Sequence, residues 1–367
     1  MIDDERQKLA KKYFSFIFRA SMLNNFLLFL VLSFLTILNP FPNLEWKFLE
    51  IPTYFVLIFS TATILSFPLS LWGFKIEKRF GFSTQSFGDF LKDYLKSFGL
   101  TILISTPIIS LIYLSMTKTT LWWIYAGALA FLVIVLLSNL SPILITPLFY
   151  KQKPLEDEKL KRRLLSLVKK ASFKIKDVYV IDFSKKTRKS NAYITGIRGT
   201  RRIVLADNLL QNFEEEEILS TFAHELGHHI NRDIPRYIFL GGFIYLSGFY
   251  LSDVLLNASK KFLKVSEISD PKTLPFFLLL MMSFLFLTQT FMNSYSRRRE
   301  FLADEYSLNL IKNPKAFESL NEKFANLDLY DAYPNRFVKI LFYNHPPIGE
   351  RIEHARCWKK PDEVRNK

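Results

Sequence analysis

Cysteine and glycine are both scarce in this chain of 367 residues. The one cysteine, Cys357, has no partner for an intrachain disulfide, so the fold cannot depend on such a cross-link. Glycine occurs only 12 times, whereas phenylalanine occurs 37 times and apolar residues make up 49% of the chain. The apolar residues are clustered rather than spread with an amphipathic period. This clustering argues against two ordinary soluble domains and indicates membrane-embedded helices.

Long stretches without charged residues predict the membrane spans. A helix needs about 20 apolar residues, at 1.5 Å each, to cross the hydrocarbon core. The fifth stretch holds only 16 uncharged residues before Asp253 and could instead be a buried soluble helix, although Val254 to Leu256 would extend it. The first stretch is too long for a cleavable signal peptide, so we expect it to stay as an anchor. The six candidates are 20–44, 51–74, 98–116, 121–150, 237–252 and 273–296.

The net charge of +15 is distributed along the chain as the predicted membrane topology requires. We therefore do not expect a nucleic-acid partner. Lysine and arginine are abundant in the N-terminal arm, the loop 75–97, the segment 151–236 and the tail from Arg297 onward. The intervening connections are poor in both, apart from four lysines in 257–272, which fit less well. By the positive-inside rule, this pattern predicts six spans with both termini in the cytoplasm. Membrane lipid is the expected partner of the remaining positive charge.

The fold class predicted is a mainly α, multi-pass membrane protein with a small α+β region on the cytosolic side. Residues 1–150 form a transmembrane region of four spans, and residues 151–367 form a second region with two further spans, about 237–256 and 273–296. In the second region, Lys159 to Ala171 is typical of an amphipathic helix. The runs 177–182 and 202–206 alternate like strands. Asn212, with Glu215 three residues later, predicts the capping box of the next helix.

That next helix carries His224-Glu225-Leu-Gly-His228. Two histidines four residues apart lie on one face and can bind the same ion, for which zinc is suited. Glu225, next to the first ligand, is placed to take a proton from a zinc-bound water. His229 points about 100° away from this face and is interpreted as a supporting or structural residue.

A third protein ligand is required, and the stretch after the last predicted span offers Glu300 and Asp304, again four residues apart. We assign Glu300 as the ligand and Asp304 as the partner of a ligand imidazole. The residues thus predict a zinc peptidase with one Zn²⁺ per chain. An ordinary charged helix, with arginines paired to these carboxylates, is the alternative that spacing alone leaves open.

Several motifs in order resemble the type I CAAX prenyl proteases, which are integral-membrane zinc endopeptidases. The resemblance covers about residues 50 to 355 and includes the zinc helix and Arg298-Arg-Glu-Phe-Leu-Ala-Asp304. The other motifs are 77–93, Pro147-Leu-Phe, Ser190-Asn-Ala-Tyr193, Arg202-Ile-Val-Leu205 and His345-Pro-Pro-Ile-Gly-Glu-Arg351. The resemblance implies that His224, His228 and Glu300 bind zinc. It also implies that Glu225 is the catalytic carboxylate and Asp304 the supporting one. It also implies that Asn191, Ala192 and Tyr193 bind the substrate backbone, and that His345 and Arg351 stabilise the oxyanion and hold substrate.

The resemblance further implies a ring of helices around an intramembrane chamber, which would account for polar residues in the spans such as Asn24, Asn25 and Asn139. Eukaryotic members have seven spans, and this chain lacks a counterpart of the first. That departure suggests a compact, prokaryotic member in the plasma membrane; a eukaryotic one would lie in the endoplasmic reticulum. We expect a monomer with its active site on the cytosolic side.

Three readings of function follow. The first is endoproteolysis near the C-terminus of a peptide or protein substrate, prenylated or not. The second is quality control of misfolded membrane proteins, as in the related heat-shock protease HtpX, which has four spans and lacks the 77–93 loop. The third is a non-catalytic membrane scaffold, against which Glu225 argues. Span count alone would also suit a transporter, which the metal-binding residues do not support.

Overall fold

The structure, a computed structural model, describes residues 1–40, 47–196 and 201–359. Residues 41–44 of the first predicted span and 360–367 of the second predicted region lie outside the described residues. Most of the described residues are helical, and the strands of a small sheet come between the fourth and fifth long helices in the sequence. The helices are α1 Asp4–Leu38, α2 Lys47–Arg79, α3 Phe87–Lys118, α4 Trp122–Leu140, α5 Thr146–Phe149, α6 Glu158–Lys170, α7 Asp207–Asn212, α8 Glu215–Ile230, α9 Asp233–Leu263, α10 Leu274–Ile311, α11 Pro314–Leu327, α12 Arg336–Phe342 and α13 Ile348–Cys357.

Six helices in the described part of the chain are long and apolar enough to cross a membrane, which confirms the predicted number of spans. They are α1, α2, α3, α4 with its continuation to Phe149, α9 and α10. The fifth, predicted from a short apolar run, is a helix of 31 residues rather than a short buried one. Its Phe239 and Phe243 are 69% and 66% exposed, as expected of side chains that face lipid. The chain is an integral, multi-pass membrane protein.

These six helices form a closed ring, because each contacts the next in the order α1, α2, α3, α4, α9, α10 and α10 contacts α1 again. At one end, all six contribute to an apolar cluster that includes Leu32, Tyr54, Tyr113, Trp122 and Phe277. The opposite ends of the same helices lead into the sheet and the C-terminal helices. A ring closed at one end is the arrangement that the expected chamber requires.

The sheet packs on α6 and α8 and has four strands, β1 Gln152–Pro154, β2 Asp177–Ile181, β3 Ala192–Thr195 and β4 Arg202–Ala206, which confirms the two predicted strands. The spatial order is β1, β2, β4, β3, with β2 and β4 parallel and the other pairs antiparallel. Tyr193 of β3 is opposite Val204 of β4. This order leaves β3 at an edge of the sheet, beside α8.

The predicted cap of α8 was wrong by two residues. Asn212 is the last residue of α7, and α8 begins at Glu215 after the cap residue Glu214. The backbone N–H of Glu214 donates to Oε2 of Glu217 at 2.7 Å, so the capping box is built from these two glutamates. Extended Phe213 separates the two helices, which the acidic run by itself did not reveal. The start of α8 still carries negative charge where the helix dipole favours it.

Candidate metal centre

His224 and His228 lie one turn apart on α8 and turn the same ring atom toward one point. Their Nε2 atoms are 3.2 Å apart. Both rings also have a carboxylate at Nδ1, so Nδ1 carries the proton and the Nε2 lone pair is left for a metal.

Glu300 on α10 supplies the third group. Its Oε2 lies 3.2 Å from Nε2 of His224, and its Oε1 lies 3.5 Å from Nε2 of His228. Four tetrahedral ligands at the usual zinc–nitrogen and zinc–oxygen distances are about 3.3 Å apart. The two ring nitrogens, and each ring nitrogen with its nearer carboxylate oxygen, are separated by close to this value, and one ligand atom from each of the three side chains lies within 4.8 Å of the other two. A zinc site with three protein ligands leaves one position for water or substrate.

The two helices can carry these groups to one point because they pack unusually closely. A Cβ atom on Gly227 of α8 would lie 3.0 Å from Cα of Ala303 on α10, so only glycine permits this approach. One turn away, the Ser307 hydroxyl donates to the carbonyl of Ser220 at 2.8 Å. This contact brings Glu300 across from the two histidines, although it follows His228 by 72 residues in the sequence.

The residues fit a divalent cation. Oε2 of Glu300 is buried and accepts no hydrogen bond from the described residues, although Nδ1 of His345 lies 2.9 Å away. Burial would lower the pKa of His224, yet Asp304 and Glu300 raise it to about 10. Anionic groups thus converge on a buried point that calls for positive charge. A metal ion held by His224, His228 and Glu300 would supply that charge.

Asp304 supports His224 from behind, as its spacing from Glu300 suggested. Its Oδ1 lies 2.7 Å from Nδ1 of His224, and the side chain is fully buried. The guanidinium of Arg351 donates to both carboxylate oxygens, at 2.8 Å and 2.5 Å. The result is a chain of three side chains that fixes the orientation of one ligand ring.

A second supporting carboxylate was missed at the sequence level. Oδ2 of Asp233 lies 2.9 Å from Nδ1 of His228, and its other oxygen accepts from Nε of Arg299. Arg299 also donates to the carbonyl of Asn231 at 3.2 Å. A signal was present, because Asp233 follows His228 by five residues, just after the zinc helix. Its significance depended on the turn that returns it to the ring.

Glu225 lines a cavity of about 420 Å³ together with His224, His345 and Arg351. Burial raises the pKa of its carboxyl group, while the nearby histidines act in the opposite direction. A carboxylate whose pKa is raised is a stronger proton acceptor than one with an ordinary pKa. Glu225 and the ligand His224 thus face the same cavity.

His345 and Arg351 occupy different positions relative to this cavity. The side chain of His345 is 56% exposed and stands beside Glu300, so its ring can reach a carbonyl group held at the centre. The side chain of Arg351 is only 11% exposed and its donors are directed at Asp304. The structure therefore brings both residues to the cavity, and the guanidinium of Arg351 is bonded to Asp304 behind the ligand His224.

The segment implied to bind substrate runs along the cavity at the edge of the sheet. The carbonyl of Asn191 accepts from the N–H of Ala206 at 2.9 Å. In an antiparallel pair the bonding alternates, so the N–H and C=O of Ala192 point away from β4. Asn191 and Ala192 line the cavity, whereas the Tyr193 side chain packs on the apolar core of the sheet.

His229 lies outside the centre. Its ring packs against Phe173 with centroids 5.4 Å apart, and it bonds to the backbone of Ile194. Burial lowers its pKa to about 4, so the ring is neutral at physiological pH. His229 thus connects the zinc helix to strand β3 by a hydrogen bond. Of the two roles considered, a supporting residue of the metal site or a structural residue, this position fits the structural role.

Comparisons with known proteins agree with this geometry. The family model described as peptidase family M48 matches residues 154–359. A second model, described as the CAAX prenyl protease N-terminal region with five membrane helices, matches residues 2–151. Four of the candidate spans described here fall in that second match.

Individual relatives give the same result. The uncharacterized metalloprotease YhfN of Bacillus subtilis (strain 168) is 31% identical over 317 residues, covering 84% of this chain and 74% of the relative. CAAX prenyl protease 1 of Saccharomyces cerevisiae is 33% identical over 318 residues, covering 81% and 70%. The crystal structure of S. mikatae Ste24p superposes with a TM-score of 0.84 at 25% identity, covering 97% of this chain and 90% of that one.

Proposed function

The chain belongs to peptidase family M48 as a membrane zinc metalloprotease, and on that premise we propose that it cleaves peptide bonds near the C-terminus of its substrates. The observation that carries the proposal is the convergence of His224, His228 and Glu300. The two Nε2 atoms are 3.2 Å apart, and they lie 3.2 Å and 3.5 Å from the two carboxylate oxygens of Glu300. All three come from one chain. We therefore propose one zinc ion per chain and a monomer that needs no partner to complete its site.

We also propose that the two regions of the chain have different roles. Residues 1–150 provide the first four helices of the ring, and residues 151–367 provide the ligands, the base and the last two helices. Ligands from both α8 and the end of α10 make the second region one catalytic unit.

Glu225 is the proposed general base. A bound zinc ion would polarise the substrate carbonyl and lower the pKa of water toward about 7. Glu225 takes the proton of the attacking water and later gives it to the nitrogen of the leaving amine. Burial raises the pKa of this carboxyl group, which makes its carboxylate a stronger base toward the attacking water.

His345 and Arg351 have different proposed roles. His345 donates a hydrogen bond to the carbonyl oxygen of the scissile bond as negative charge develops there. Its exposure to the cavity and its place beside Glu300 support this role. Arg351 acts through Asp304, which it holds with two hydrogen bonds, and so keeps His224 in position. Arg351 is thus a positioning residue.

Substrate is proposed to add to the sheet as a fifth strand. The outward N–H and C=O of Ala192 offer one donor and one acceptor to an extended backbone, and Asn191 is exposed beside them. Tyr193, whose side chain packs inward, anchors the strand in the sheet. Backbone pairing of this kind tolerates varied side chains, so the ring around the site must contribute to substrate choice.

The relatives suggest the substrate class and the side of the membrane. CAAX prenyl protease 1 of S. cerevisiae is named for its action on CAAX sequences, and we propose a prenylated C-terminal peptide for this chain as well. The site lies at the ends of the ring helices that carry Arg19, Lys78, Arg236 and Arg298. By the positive-inside rule we propose that this end faces the cytosol.

The test is cleavage of paired peptides by the purified protein in detergent or vesicles. A farnesylated peptide ending in a CAAX sequence is compared with the same peptide unmodified, with and without a chelator, and again after zinc is restored. We expect zinc-dependent cleavage with preference for the farnesylated form. Equal cleavage of both peptides would contradict the substrate class and favour a quality-control protease, and no cleavage of any peptide by zinc-loaded protein would contradict the proposed activity.

A further inference from the structure

The N-terminal end of α1 is fastened to a loop that forms one wall of the cavity. This cavity-wall loop comprises residues 328–333, of which 328–331 line the cavity. The side chain of Gln7 bonds to it at two points: Oε1 accepts from the N–H of Ala332 at 2.9 Å, and Nε2 donates to the carbonyl of Tyr330 at 3.2 Å. Nε of Arg6 donates to the carbonyl of Asn326 at 2.7 Å. One helical turn of α1 thus satisfies backbone groups more than 300 residues away.

The cavity-wall loop depends on such contacts. Leu329 has φ of +53°, in the left-handed region that a bulky L-residue rarely adopts, and it is almost fully buried. Local preference therefore does not hold the loop in this shape, and tertiary contacts must do so. Gln7 supplies two of them through the backbone of Tyr330 and Ala332.

The same loop also contacts the helix that presents Arg351. The N–H of Gly349, in the first turn of α13, donates to the carbonyl of Ala332 at 3.1 Å. A Cβ atom on Gly349 would lie 2.8 Å from that carbonyl oxygen, which shows how tightly the two segments pack. Ala332 is therefore held from one side by Gln7 and from the other by α13.

The opposite wall of the cavity is fastened to α1 as well. Nζ of Lys189 donates to the hydroxyl of Tyr13 at 2.5 Å, just before the segment that offers its edge to substrate. The two walls meet where the N–H of Ser190 donates to Oδ2 of Asp328 at 3.3 Å. Gln7 and Tyr13 lie about 9 Å apart along α1. This helix therefore spans the two walls between which a peptide would lie.

We propose that Gln7 is a positioning residue for substrate binding, which holds the cavity-wall loop at the width that an extended peptide requires. The inference rests on the proposed function, because it takes this cavity to be the substrate cavity. Gln7 is a useful probe because it lies outside the cavity lining and acts on it through the backbone. Besides its two bonds to the loop, its Nε2 donates to the carbonyl of Ala325 at 3.5 Å, close to the end of α11 that leads into the loop.

The experiment compares Gln7→Ala with Lys8→Ala in zinc-loaded protein that cleaves a peptide. Lys8 is the next residue of α1, and its ammonium pairs with exposed Glu5, so it serves as the matched control. We expect Gln7→Ala to raise KM about fivefold, the effect of roughly one lost hydrogen bond, with kcat changed less than twofold and zinc content unchanged. Lys8→Ala should leave all three unchanged. Gln7→Glu keeps the acceptor for Ala332 and should raise KM less than alanine does.

Hydrogen exchange supplies a readout independent of activity. The amide of Ala332 and its neighbours in 328–333 should exchange faster in Gln7→Ala and at the wild-type rate in Lys8→Ala. A KM for Gln7→Ala equal to that of the control, or unchanged exchange at Ala332, would overturn the inference while leaving the proposed function intact. A wild-type protein that cleaves no peptide would fail the proposed function, and the exchange result would still decide whether Gln7 holds the loop.

Discussion

Oδ2 of Asp233, the first residue of α9, lies 2.9 Å from Nδ1 of His228. The same aspartate binds Arg299, which directly precedes the ligand Glu300. The first turn of a membrane helix, the zinc helix and the end of another membrane helix are thus joined at one carboxylate. The metal centre is therefore not a soluble module attached to a membrane anchor, since the spans themselves supply its support.

The supporting carboxylates should govern metal affinity. Asp233→Asn and Asp304→Asn each replace a charged partner of a ligand imidazole by a neutral one, which makes the ring a weaker ligand. Losses of about 10- to 100-fold in zinc affinity are typical of such changes. Competition with a chromophoric chelator measures them. The control is Glu305→Gln, at an exposed position next to Asp304, and equal affinities in all three variants would contradict the assignment.

Replacement of the base should separate catalysis from metal binding. Glu225→Gln keeps the shape of the side chain but removes its ability to accept a proton. We expect kcat to fall about 10²- to 10⁴-fold, while zinc content by elemental analysis remains one per chain. A variant that cleaves as fast as wild type would contradict the role of Glu225.

The buried pair of Arg351 and Asp304 should matter for stability as well as for the site. Arg351→Ala leaves the fully buried carboxylate of Asp304 without its arginine, and the removal of one partner from a buried ion pair typically costs about 3–5 kcal/mol. Thermal unfolding in detergent should show a clear fall in Tm. Arg356→Ala on the same helix removes an exposed ion pair with Glu318 and should cost less than about 1 kcal/mol.

A double variant, in which both side chains of the buried pair are replaced by alanine, provides a second check. Arg351→Ala with Asp304→Ala removes both charges, so its loss in Tm should be smaller than the sum of the two single losses. Additive losses would show that the two side chains are not coupled.

Asp328 should make stability depend on pH. Burial raises its pKa from 3.8 to about 7, so between these two values the unfolded chain ionises while the folded chain keeps its proton. Stability is therefore greatest below about pH 4 with respect to this group, falls as pH rises to about 7 and is then constant. At about 1.36 kcal/mol for each unit of pKa difference, the cost at pH 8 is on the order of 4 kcal/mol.

Asp328→Asn removes that titration and can still accept the hydrogen bond from Ser190. Its Tm should exceed that of wild type at pH 8 and approach it toward pH 4. Equal Tm differences at both pH values would contradict the burial of an ionisable group here.

Elements with strong local signals were predicted correctly. Membrane spans are indicated by uninterrupted apolar runs, and the amphipathic helix and the two strands by a regular spacing of apolar residues. Both signals depend only on residues that are close in sequence. Even the weak fifth span was found, because α9 contains its apolar run. The cap of α8 was misplaced because Asn is a preferred cap residue and Glu is not, whereas the structure uses Glu214. The extended residue between Asn212 and Glu214 has no strong local signature.

Contacts between distant segments were only partly predictable. The histidine spacing on α8 and the carboxylate spacing on α10 each indicated a face, and the resemblance indicated His345 and Arg351. Neither source indicated that Asp233 returns to His228, that Arg351 binds Asp304, or that Gln7 holds the cavity-wall loop. Each of these depends on a turn or a packing contact that aligns groups far apart in the chain.

By itself, the sequence determined that this chain lies in a membrane and that one helix offers two imidazoles and a base to a metal ion, because apolar length and helical spacing are local properties. Only the tertiary structure decided which carboxylates stand behind those imidazoles, which edge of the sheet is open and what holds the walls of the cavity. Hydrogen bonds and close helix packing act between atoms a few ångströms apart, and that proximity arises only when the ring closes and α8 packs on α10.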